Sequence, residues 1–370
     1  MADAKTYPRR AAVVSWIFFD WAAQPYFTLI TTFVFSPYFV THMASDPASG
    51  QAMWGFATAA AGLVIALLSP VLGAIADASG RRKPWIAGFG ALLVIGSSLM
   101  WFGRPGDPSV IPALLLAYGI ATIGVEFAMV FNNAMMPSLV PPNKIGRLSG
   151  TGWATGYVGG ILSLILVLGY LAADPATGRT LFGFMPLFGL DPVTHQGDRI
   201  TGPLTAIWFI IFVTPMFLLT PDYPAKLPVR DALHRGLSEL KGTLAELPKR
   251  KSMAAFLLAN MIYTDGLVSL FAFGGIYAAG TFGWHTIQMA PSAFCWRSPA
   301  LLARGSAASS TIRWGRSGSS PAARWCCWRR SSASCWSTRI RSSSSRWRRR
   351  HPAARCFPAP PSAPICSSAA

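Results

Sequence analysis

The stretch Gly73-Ala74-Ile75-Ala76-Asp77-Ala78-Ser79-Gly80-Arg81-Arg82-Lys83 is a charged break between two long apolar runs. Met53–Ala76 leads into it and Trp85–Phe102 follows, each close to the ~20 residues a helix needs to cross the hydrocarbon core of a bilayer. Three consecutive cations cannot rest in hydrocarbon, so the break is a loop at one membrane face and the chain is an integral membrane protein. Gly73 is expected to let its helix approach a neighbour, and Gly80 permits a tight turn. Asp77, at the end of the second span, can accept hydrogen bonds from Arg81 and Arg82 or cap a neighbouring helix. Such a network can hold one side of a bundle closed and then release it. The plainer reading is that Arg81, Arg82 and Lys83 only fix topology.

Outward from this loop, seven segments qualify as spans: Val13–Val40, Met53–Ala76, Trp85–Phe102, Ile111–Val130, Gly150–Ala172, Leu204–Leu219 and Met253–Ala278. A mean hydropathy of +0.39 with 12% charged residues excludes an ordinary soluble domain, which carries about a quarter. Pro25, Pro70, Pro112 and Pro215 are expected to mark kinks, because neighbours in a membrane bundle can satisfy the carbonyls they free. The Gly-rich fifth span (Gly150, Gly152, Gly156, Gly159, Gly160) reads as small-residue helix packing.

Lys and Arg set the orientation. Residues 1–289 hold 18 of them, 15 on the side of the charged loop and only Arg104, Arg179 and Arg199 on the other. The positive-inside rule then puts the N-terminus in the cytoplasm, and the expected location is a bacterial cytoplasmic (inner) membrane. In the 220–252 loop, Leu233, Leu237, Leu240, Leu244 and Leu247 recur at helical spacing. They predict a short amphipathic helix on that face, as an orienting linker or a regulatory site. No Walker A pattern, His/Glu metal motif or nucleophile elbow is present. No cofactor, metal or enzymatic activity is therefore expected.

The G-x-x-x-D-x-x-G-R-R-K pattern resembles the signature loop of the Major Facilitator Superfamily. Ser15–Ala22 and Thr31–Phe39 in span one resemble its UMF1/Atg22-like branch, as do Phe131–Pro137 after span four and Tyr263–Gly266 and Phe271–Ala278 in span seven. The resemblance covers residues 10–289 and implies a twelve-helix permease of two six-helix bundles, whose eukaryotic relatives are associated with amino-acid efflux. The expected fold is all-α integral membrane. Residues 1–219 form an N-terminal six-helix bundle, 220–252 a cytoplasmic inter-bundle loop, and 253–289 the first helix of a second bundle.

Three carboxylates fall inside the spans: Asp20, Glu126 and Asp265. Each costs roughly 2.5–3.5 kcal/mol at the membrane centre, so each is expected to face the bundle interior and be paired, protonated or functional. The resemblance places them on helices one, four and seven, which line the cavity in this superfamily. They are candidate proton or substrate groups, and no Lys or Arg shares their depth. The alternatives are that Asp20 bonds a neighbouring helix or Trp21, and that Asp265 caps a broken helix before Gly266. Asn132 and Asn133 are candidate substrate contacts, since amides both donate and accept, or helix caps.

From Ala290 onward the composition changes to 14 Arg with no Lys, Asp or Glu, and all six Cys lie there. Residues 290–370 form an anomalous Arg/Ser-rich tail with no span-length apolar run, expected to be disordered. This is the composition of GC-rich DNA read out of frame. Ala308–Ser317 can be encoded so that the shifted frame reads Lys-Leu-Asp-Asp-Thr-Val-Gly-Pro-Lys-Arg, resembling a second copy of the charged loop. A frameshift is the expected origin, against a genuine tail binding RNA or anionic lipid. The expected function is secondary active transport of small solutes, with amino acids as candidate substrates and protons as candidate coupling ion. Its partners are the solute and the bilayer, with no nucleic acid or obligate protein partner. The alternatives are a transport-inactive truncated product and a non-transporting membrane sensor or scaffold.

Overall fold

A computed structural model describes residues 7–78, 81–222 and 245–282, together with residues 238, 241 and 242. The described residues are helical and irregular, with a single β-bridge between Ala173 and Thr180. Among the described residues, six helices are long and apolar enough to cross a membrane: Pro47–Gly73, Lys83–Phe102, Pro108–Leu139, Pro142–Leu171, Gln196–Leu219 and Lys251–Leu270.

The expected first span is built differently. Helix α1, Arg10–Pro25, is 16 residues long and opens into wide π turns over Tyr26–Phe33. Proline explains the change, because Pro25 has no N–H to give the carbonyl of Trp21. That carbonyl instead takes the indole N–H of Trp208, at 3.1 Å. Beyond Pro25, the Thr32 hydroxyl donates to the carbonyl of Phe27 at 2.7 Å, and the backbone N–H of Val34 reaches Leu29 at 3.1 Å. The wide turns thus keep their polar groups satisfied without water. A short helix α2, Phe35–Tyr38, and a second π stretch, Phe39–Met43, complete the crossing.

Helix α3, Pro47–Ala78, starts at a proline and is capped by Asp46, whose carboxylate accepts from the Ser49 N–H at 2.9 Å. Bonds from Ser49 hold that carboxyl below the usual aspartate range. Then follow α4, Lys83–Leu99; α5, Ile111–Ala134; a single turn, α6, Met136–Leu139; and α7, Ile145–Leu166, with a π end at Val167–Leu171. A loop leads to α8, Gln196–Arg199, then α9, Thr201–Leu219, and finally α10, Lys251–Phe282. Pro112 lies in the first turn of α5, where its missing N–H has no intrahelical partner to lose, so it starts that helix and does not kink it.

Helix α1 lies between α7 and α9, while α5 lies between α3 and α4, and an α4–α9 contact closes the group. The core between them is aromatic and includes Trp16, Phe19, Tyr26, Trp54, Tyr118 and Phe131. Glycine lets α7 reach α1, as the fifth span's composition led us to expect. A Cβ on Gly152 would stand 2.5 Å from an Asp20 carboxylate oxygen, and one on Gly156 would stand 3.1 Å from the Asp20 carbonyl. Gly73 differs from expectation, because nothing described lies within 4 Å of where its Cβ would be. Gly80, most of the proposed amphipathic helix and the 290–370 tail lie outside the described residues.

Candidate functional site

At the charged-loop face, three helices end within reach of one another, and each end leaves backbone groups without intrahelical partners. The loop's own side chains fill two of those ends. Arg82 Nε donates to the Ala76 carbonyl in the last turn of α3 at 2.9 Å, and Lys83 Nζ donates to Phe217 near the end of α9 at 2.8 Å. Both place a cation at a helix C-terminus, where the macrodipole favours it. The third end is filled from the far side of the sequence. Asp222 accepts the Arg82 N–H at 2.9 Å and the Lys83 N–H at 3.2 Å, capping α4 across about 140 residues. Asp77 lies in the last turn of α3, and Arg81 is exposed. Asp222 thus caps α4, while the Asp77 side chain lies outside the described residues.

Deeper in the bundle, Trp16 joins α1 to α5 by giving its indole N–H to the carbonyl of Asn132 at 2.8 Å. That carbonyl is in the last turn of α5, which Pro137 helps to end. Asn132 is 0% exposed, and neither of its side-chain amide atoms has a partner among the described residues. Asn133 is half-buried, with no described side-chain bond. Asp20 is one turn along α1 from Trp16, and Glu126 is six residues back along α5 from Asn132. At 1.5 Å per residue, both carboxylates sit about 6–9 Å further from the charged-loop face than the Trp16–Asn132 bond.

Neither carboxylate has a hydrogen bond or ion pair among the described residues. Asp20 does not bond Trp21, whose buried Nε1 is itself unpartnered. Asp265 lies on α10, which runs unbroken from Lys251 to Phe282, so it caps no broken helix there. Its side chain is exposed.

Beside Glu126 is a cluster of hydroxyls that the sequence reading missed. Tyr26 Oη lies 2.7 Å from Thr122 Oγ1 and donates to the Tyr118 carbonyl at 3.2 Å. Tyr118 Oη lies 3.1 Å from Thr58 Oγ1 on α3. Thr122 is one turn from Glu126 on the same face of α5, and Tyr26 and Tyr118 are both within electrostatic range of that carboxylate. The cluster therefore ties the first crossing to α3 and α5 by polar bonds one to two turns along α5 from the acid. In sequence, these residues look like ordinary members of apolar runs. The only signal was the i, i+4 spacing of Tyr118, Thr122 and Glu126 on one helix.

The profile of the family described as "Vacuole effluxer Atg22 like" matches residues 51–303. The chain is also similar to the "Uncharacterized MFS-type transporter YxiO" of Bacillus subtilis (strain 168), with 26% identity over 272 residues. That match covers 72% of this chain and 59% of the relative, so the chain spans less than two thirds of the length of the curated protein it matches. No solved structure matches the chain.

Proposed function

The chain belongs to the Atg22-like vacuole effluxer family of MFS-type transporters, and from that premise we propose that it forms part of the solute pathway of a secondary active transporter. Small solutes are the substrates, with amino acids the first class to test, and protons are the coupling ion. One observation carries this reading: Asp20 and Glu126 sit inside membrane helices and make no hydrogen bond or ion pair among the described residues. A carboxylate in that setting is stabilised by a proton or by a cationic or hydrogen-bonding ligand. The excess of Lys and Arg on the charged-loop side supports a cytoplasmic N-terminus. On that orientation, Arg82, Lys83 and Asp222 form the inner gate, whose helix-end bonds must break and re-form as access alternates.

The test is uptake of radiolabelled amino acids into proteoliposomes, with and without a pH gradient. It should be run on this chain and on a form in which the second bundle is restored. Gradient-dependent flux in the restored form, lost in Glu126→Gln, is the expected result. Flux that ignores both the gradient and that substitution removes proton coupling.

A second reading rests on the change of composition after residue 289. On that reading residues 290–370 are an out-of-frame product, and a chain with only the start of a second bundle moves nothing by itself. It predicts no flux for this chain and flux once the frame is restored.

A further inference from the structure

At the membrane face opposite the charged loop, the segment after α7 folds back on the helix it leaves. The Leu181 N–H donates to the Leu168 carbonyl at 2.9 Å, and the Thr180 N–H donates to Phe184 at 2.9 Å. Phe182 lies on Gly169, where any Cβ would meet the ring at 2.5 Å. Tyr170 stacks on Phe184 with centroids 6.0 Å apart and planes within 7°. The segment is therefore held in a defined shape at the end of a span.

What it presents is apolar. Thr180–Leu190 contains no charged residue, and Phe188 is 85% exposed, Met185 79% and Phe184 55%. Val158 and Leu162 on α7 and Tyr170 in its π end are exposed as well, so apolar surface continues from the span to this loop. Phe188 also has φ of +61°, a left-handed conformation that a residue with a Cβ adopts only when its surroundings hold it there. A turn holds it there: the Gly189 N–H donates to the Pro186 carbonyl at 3.3 Å, and the ring is left uncovered.

We propose that Leu181–Phe188 is an interfacial membrane anchor, seated in the boundary between headgroups and acyl chains. Aromatic and apolar side chains at the end of a span suit that layer, where rings gain apolar contact while the backbone stays near water. The loop carries no charge, so it takes bilayer lipid by insertion and without preference for anionic headgroups. The charged flanks, Arg179 and Asp191, mark where the chain returns to water. The inference rests on membrane residence and not on transport.

The full chain, with its six tail cysteines changed to Ser, would carry a nitroxide on Phe188→Cys, Met185→Cys or Thr194→Cys in phosphatidylcholine vesicles. Labels at 185 and 188 should collide several-fold more with dissolved oxygen than with a water-soluble nickel chelate, and the label at 194 should do the reverse. Adding phosphatidylglycerol or salt should change neither ratio. A photoreactive lipid should label the 181–190 peptide of the unaltered chain, which needs no substitution to fold. Labels at 185 and 188 that meet the chelate as freely as the one at 194 overturn the proposal. So do labels shielded from both reagents with no lipid adduct, which would mean that protein, another copy or a second bundle, covers the loop.

Discussion

The charged-loop face and the middle of the bundle treat charge in opposite ways. At the face, Arg82, Lys83 and Asp222 each satisfy backbone groups at the end of a helix, within 2.8–3.2 Å. In the middle, Asp20 and Glu126 satisfy nothing described, although burial makes an unmatched carboxylate far more costly there than at the surface. The difference separates two uses of ionisable side chains. Charges that complete helix ends hold a conformation. A charge left without a partner, where partners are worth most, is available to whatever enters.

The largest effect on this contrast should come from Gly156→Leu. A side chain there meets the backbone of Asp20 at about 3 Å and must push α7 off α1, at a cost of ~1–3 kcal/mol. Thermal unfolding in detergent should show the loss, and water should then reach the Asp20 carboxylate. Asp222→Ala should cost less, ~0.5–2 kcal/mol, as the loss of a helix cap. It should also speed tryptic cleavage at Arg81 and Arg82, and an unchanged cleavage rate would mean that Asp222 does not hold the loop. Asp20→Asn and Glu126→Gln should change stability by no more than ~0.5 kcal/mol, or raise it, because no partner is lost. If either costs as much as Asp222→Ala, that carboxylate is structural and the contrast fails.

Run length and charge made most of the architecture legible. Six of the seven expected spans are single long helices. The glycines of span five do what small residues in a membrane helix are expected to do. Pairings across the chain were hidden. Asp222 looked like one more loop residue, since its partners lie about 140 positions away. Tyr26, Thr58, Tyr118 and Thr122 are common in apolar runs, and only the fold brings their hydroxyls together. At Gly73 no described neighbour lies within 4 Å, and a glycine's spacing cannot say whether a neighbour lies beside it. The carboxylates were easy to find because charge in an apolar run stands out. Their lack of partners depends on all the helices around them.

The bond from Trp208 to the Trp21 carbonyl also bears on how the protein is made. The donor lies 187 residues after the acceptor. At a synthesis rate of about 5–20 residues per second, helix one waits roughly 10–40 s for the residue that completes it. Until then it crosses the bilayer with a free carbonyl beside Pro25, a place for water, lipid or an insertion factor to occupy. Assembly therefore has an order: α1 enters the membrane well before α9 and is finished only after it.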